Sequence, residues 1–111
     1  MTDVGNDAEN KINQLQIMEQ SVQNLTMQKQ QFQMQQVEIE SAINELDKVE
    51  EAYKIVGNIM VLSKKDDLKK DLTSKKDIIG LRIKSLEKQE SQLKEKSSKL
   101  QEEVLKGMKK D

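Results

Sequence analysis

Two apolar runs with a period of seven, one on each side of a Gly-Asn pair, constrain this chain of 111 residues more than any other feature. From Leu15, steps of alternately three and four residues reach Met18, Val22, Leu25, Lys29, Phe32, Gln36, Ile39, Ile43 and Leu46. Eight of these ten positions are apolar over about five heptads, the pattern of a helix whose seam faces another helix. Past the Gly-Asn pair, Leu72, Ile79, Leu86, Leu93 and Leu100 recur at every seventh residue, with Lys76, Ile83, Glu90, Ser97 and Val104 on the companion row. No proline interrupts either run.

The two phases agree with each other. If the chain folds back about Gly57-Asn58, the numbers of facing residues sum to about 115, and an antiparallel pair stacks its two seam rows in alternate layers. Leu15 then faces Leu100, Val22 faces Leu93, Lys29 faces Leu86, Gln36 faces Ile79 and Ile43 faces Leu72. The interleaved layers pair Met18 with Ser97, Leu25 with Glu90, Phe32 with Ile83, and Ile39 with Lys76. No layer is polar on both sides, so Lys29 and Lys76 are expected to snorkel outward past apolar neighbours. A shift of one heptad would preserve the phases, so the pattern alone leaves the exact pairing open.

Composition supports helices over a compact core. Only 34% of residues are hydrophobic and 35% are charged, and Phe32 and Tyr53 are the only aromatics. Disordered chains share low hydrophobicity but carry high net charge and many prolines; here 19 basic residues meet 20 acidic ones. The glutamine-rich stretch from Gln14 to Gln35 admits a prion-like reading, but Gln is a fair helix former and falls here between seam positions. Residues 1–50 carry nine acids against Lys11, Lys29 and Lys48, and the remainder 16 basic against 11 acidic residues, so the two halves attract each other.

The absences exclude whole classes of chemistry. Without His or Cys there is no imidazole base, no thiolate and no zinc site of the usual ligand types, and no Gly-rich phosphate loop exists. The expectation is therefore no enzyme, no cofactor and no metal. The C-terminal lysines alternate with acids instead of forming a basic patch with stacking aromatics, which argues against nucleic acid. No apolar run approaches a membrane span and no signal peptide is legible, so the chain reads as soluble and cytoplasmic, with no membrane partner.

Between the seams lies Ala52-Tyr-Lys-Ile-Val-Gly-Asn-Ile-Met-Val-Leu62, where β-branched and apolar residues replace the helical charge pattern. Gly57-Asn58 is a two-residue hairpin signal of type II′ or I′, flanked by strands of roughly 52–56 and 59–63. Both faces are apolar, read as Tyr53, Ile55, Ile59 and Val61 against Val56, Met60 and Leu62. An isolated two-stranded hairpin is marginal in water. These residues are either a local plug over one helix pair or, the favoured reading, an edge that pairs with other copies or paralogues. Beyond it, Ser63 with Asp66 resembles a capping box, and Asp66 and Asp67 suit the positive end of a helix.

The hairpin segment, with its Tyr53-Lys54-Ile55-Val56-Gly57-Asn58-Ile59 core, together with Leu81-Arg-Ile-Lys-Ser-Leu-Glu-Lys-Gln-Glu90 and the following Leu93, resembles the β-type subunit of prefoldin, a cochaperone of archaea and eukaryotes. The connection from Asp47 to Ser63 accommodates one hairpin and not two, which resembles the β class and not the α class. The resemblance covers almost the whole chain and carries an archaeal style. It implies a single domain over 1–111, mostly α: a long antiparallel two-helix coiled coil, with helices over about 8–47 and 65–107, and a central β-hairpin over 52–63 that assembles into an intersubunit β-barrel.

Further implications follow from the same likeness. Prefoldin α-type subunits and other β-type copies would be partners in a hexamer of two α and four β. Unfolded client proteins would be held at the coiled-coil tips without ATP and transferred to a group II chaperonin. The tip is where the termini meet, roughly residues 4–18 and 100–108, and its candidate contacts are Ile12, Leu15, Ile17, Met18, Val104, Leu105 and Met108. Of these, Ile12, Ile17, Leu105 and Met108 lie off the seam near helix ends, where pairing frays and flexible Met suits many partners. The assembly candidates are Tyr53, Ile55, Val56, Ile59, Met60, Val61 and Leu62. Met27 and Met34 on the outer face are either a cavity wall or spare helix formers, the latter favoured. A different class of function, a coiled-coil tether or scaffold without client binding, fits the same seam but predicts assembly insensitive to the hairpin.

Overall fold

A computed structural model of the chain describes the backbone of residues 4–109 and the side chains of residues 7–107. Four elements follow in order: α1 (Val4–Leu46), β1 (Ala52–Val56), β2 (Ile59–Ser63) and α2 (Lys65–Lys109). The helix α1 starts four residues ahead of the expected Ala8, with Asp7 placed favourably in its first turn. It ends where the chain turns through Lys48 N–H to Glu45 O at 3.1 Å and enters the β-branched segment.

Contacts divide the chain into two compact units, Met1–Lys29 with Ser85–Asp111, and Gln30–Lys84. In the first, hereafter the terminal unit, Lys11 Nζ lies 3.6 Å from Glu103 and the Thr26 hydroxyl bonds to Glu90. In the second, the hairpin-bearing unit, the Arg82 guanidinium stands 5.8 Å from the Phe32 ring centroid, Lys76 pairs with Glu40 at 3.2 Å, and Lys69 pairs with Asp47 at 3.1 Å. Each unit is therefore an antiparallel helix pair, and these facing numbers again sum to about 115. Every seam position from Leu15 to Leu46 and from Leu72 to Val104 is half-buried or buried, the polar ones included. The deepest apolar side chains are Leu86 in the terminal unit and Ile83 and Ala52 in the hairpin-bearing unit.

The hairpin closes in the register Val56↔Ile59, Ile55↔Met60, Lys54↔Val61, Tyr53↔Leu62 and Ala52↔Ser63. Gly57 takes φ 61°, and no other described residue has positive φ, so the turn is type II′ and not I′. The register corrects the expected faces. Directly opposed residues point to the same side, and across a two-residue turn an odd number opposes an even one. One face is therefore Tyr53, Ile55, Met60 and Leu62, and the other Ala52, Lys54, Val56, Ile59, Val61 and Ser63. The capping box is also absent. Ser63 is held in β2 opposite Ala52 and its hydroxyl donates to Val61 O at 3.3 Å. The first helical bond runs instead from Leu68 N–H to Lys64 O, with Asp66 and Asp67 in the first turn as expected.

Candidate interaction surfaces

The hairpin has no cover of its own among the described residues. Tyr53, Ile55, Val56, Ile59, Met60, Val61 and Leu62 are all exposed, Ile55 at 71%, while Ala52 at the base is buried. Alternation in a strand sends successive side chains to opposite faces, so an apolar run with no polar alternation leaves both faces greasy. A local plug would bury at least one of them. Along β1 a groove of about 600 Å³ opens, bounded by Tyr53, Ile55, Ala42, Leu46, Leu68 and Leu72.

The terminal residues singled out as a tip divide into two kinds. Leu15, Met18 and Val104 sit on the seam and are half-buried, whereas Ile12, Ile17 and Leu105 are exposed. The Lys11–Glu103 pair sets the start of α1 against the end of α2. The side chain of Met108 lies outside the described residues. Met27 and Met34 are exposed on the outer face, and so are Val37, Ile78 and Leu81, which the seam pattern passed over. A tabulation of apolar residues off the seam would have found them.

One of the two seam lysines departs from expectation. Lys29 does not snorkel outward: its ammonium donates to Glu90 Oε1 at 3.0 Å, with its side chain only 20% exposed. Glu90 is 8% exposed and also accepts the Thr26 hydroxyl. The Thr26 bond, then the Lys29 bond, holds the Glu90 carboxyl below its ordinary pKa, against the opposing effect of burial. Seam layers pair only residues at one level, and Lys29 and Glu90 meet diagonally between adjacent levels. Lys76, by contrast, does reach outward, its ammonium 3.2 Å from the exposed Glu40.

Known proteins resemble this chain in sequence and in fold. Residues 9–111 match the model of the prefoldin subunit family. The prefoldin subunit beta of Archaeoglobus fulgidus is 38% identical over 99 residues, covering 86% of this chain and 85% of its own. That of Pyrobaculum islandicum is 35% identical over 105 residues, covering 92% and 82%. Among solved structures, the prefoldin beta subunit from Thermococcus strain KS-1 superposes with a TM-score of 0.90 at 26% identity, over 100% of both chains. Two long helices, a single hairpin between them and relatives of one kind along nearly the whole length lead to one assignment: the chain belongs to the prefoldin subunit family, in its β class.

Proposed function

We propose that this chain is an ATP-independent cochaperone subunit of the cytoplasm, without enzymatic activity. Its hairpin joins those of α-type subunits and further β-type copies, in a hexamer of two α and four β, to close a β-barrel. Its terminal unit holds unfolded clients and passes them to a group II chaperonin. The observation that carries the reading is the hairpin: seven large apolar side chains exposed on both faces of a two-stranded sheet, at the end of a helix pair that cannot cover them. Burying such side chains is worth about 1.5–3 kcal/mol each, and other hairpins of the same design supply the cover.

The terminal unit supports the client role through Ile12, Ile17 and Leu105, which stand exposed beside a seam that ends. Coexpression with an α-type subunit and mass measurement of the product tests assembly: a hexamer-sized species is expected, and a lone monomer or dimer overturns it. Removal of residues 1–14 and 101–111 tests holding. The oligomer should survive and suppress client aggregation less well; unchanged suppression would sink the tip assignment.

A further inference from the structure

The terminal unit contains a polar cluster that assembly and client binding leave unused: Thr26, Lys29 and Glu90, set into an otherwise apolar seam. A charge pair of this kind is weak evidence for stability, since removing both partners from water costs about as much as their attraction returns. Its better-supported use is to specify which of several similar packings is adopted.

This coil has such a competitor. The native register stacks apolar on apolar at Leu15–Leu100, Val22–Leu93, Phe32–Ile83 and Ile43–Leu72. Sliding α2 by one heptad stacks as many: Met18–Val104, Val22–Leu100, Ile39–Ile83 and Ile43–Ile79. Exposed ion pairs discriminate poorly, because Lys76 would exchange Glu40 for Asp47, seven residues on. The hairpin connection resists such a slip only weakly. Residues 65–71 at the start of α2 contain one apolar side chain, Leu68, so their unravelling lengthens the link at small apolar cost.

Glu90 does discriminate. In the native register its neighbours are Thr26 and Lys29; after that slip they are Gln33 and Gln36, which bring no charge, and Glu90 faces Phe32. A slip the other way puts Glu90 beside Glu19 and Val22, a like charge and an apolar group. We propose that the Thr26–Lys29–Glu90 cluster is the register lock of this coiled coil, excluding heptad slips that the apolar layers tolerate. A buried carboxylate without its partners is the penalty that each slipped register carries.

The chain has no cysteine, so engineered pairs report without background. Val22→Cys with Leu93→Cys marks the native layer; Val22→Cys with Leu100→Cys marks the slipped one. In the otherwise unchanged full-length chain, mild oxidation should close the first pair within one chain and leave the second silent. In a Lys29→Leu/Glu90→Leu background the slipped pair should close about tenfold more or better, with helicity retained. Silence of the slipped pair while the native pair still closes overturns the proposal. The swap Lys29→Glu/Glu90→Lys should return the slipped pair to silence, and continued closure in the swap counts against the lock. Should the doubly apolar variant not fold, Glu90→Gln gives the same readout with the same two outcomes.

Discussion

The hairpin-bearing unit and the terminal unit are built on one seam but differ in where they leave apolar surface and in the charged groups set against that seam. Among the described residues, the hairpin-bearing unit exposes the seven large apolar side chains of the hairpin together with Met34, Val37, Val49, Ile78 and Leu81, whereas the terminal unit exposes Ile12, Ile17, Met27 and Leu105. Along the seam, the hairpin-bearing unit sets an exposed Arg82 over the half-buried Phe32, and the terminal unit holds a buried carboxylate paired with an ammonium. A contiguous apolar patch marks a surface that is covered in the working state, while scattered apolar residues at helix ends are compatible with transient contact. The two units thus suit permanent and passing partners respectively.

The largest effect expected breaks this contrast directly. Val61→Asp removes about 2 kcal/mol of apolar burial per subunit if the hairpin is a buried interface, and adds an unpaired carboxylate to it. Complexes formed with an α-type subunit should fall apart to single chains or small species by light scattering. The matching change in the terminal unit, Ile17→Asp, should leave the mass unchanged and reduce suppression of client aggregation. Equal loss of mass in both variants would erase the distinction between the units.

Much of this is legible in the sequence, for a physical reason. Burial at the seam imposes a period of 3.5 residues on side chains, and that period is written along one strand of text. The type of turn at Gly57-Asn58 narrows in the same way, because only glycine takes positive φ without strain. What failed was information that lives between segments. The hairpin faces depend on the parity of the pairing, so Ile59, Met60, Val61 and Leu62 all lie on the opposite sides from those that the sequence suggests. The Lys29–Glu90 pair joins residues 61 apart in the chain, and Arg82 over Phe32 is likewise a contact across helices. Neither leaves a mark on local periodicity. Ser63 looked like a cap because its type is right, but pairing with Ala52 holds it in the strand.

Gly57→Ala sharpens the comparison at the next level. At φ 61° a Cβ meets nothing within 4 Å, so the cost is backbone strain alone, about 1–2 kcal/mol. Amide exchange should speed up in β1 and β2 and stay unchanged in 7–29 and 85–107. Faster exchange throughout would show that the hairpin and the terminal unit open together.

Gly80→Ala should act with the opposite sign and a smaller size. Gly80 is helical and half-buried, and a Cβ there meets Gln36 Nε2 at 3.5 Å, an ordinary contact. Removing glycine from a helix interior raises stability by about 0.5–1 kcal/mol, read as a higher midpoint in denaturant. A lower midpoint would mean that Gln36 has no room to accommodate the methyl group, and that the hairpin-bearing unit packs more tightly at this point than its half-buried seam suggests.

The smallest effect expected belongs to the terminal unit alone and depends on pH. Glu90 is faced by Thr26 and Lys29 from α1, with Lys94 adding a weaker attraction from its own helix, and its folded pKa lies below the ordinary 4.5. A carboxyl depressed by folding contributes stability that is fully present above its unfolded pKa, and that contribution fades as pH falls from about 4.5 through the lower folded value. Wild type should therefore exceed Glu90→Gln in stability at neutral pH, and the gap should narrow as pH falls below about 4.5 and the Glu90 carboxyl takes up its proton. A gap of constant size across that range would mean that Glu90 acts through shape or hydrogen bonding and not through its charge. Because the hairpin residues carry no comparable carboxylate, assembly mass should be indifferent to the same substitution, so acid sensitivity of this origin separates the two units by a route independent of the apolar surface.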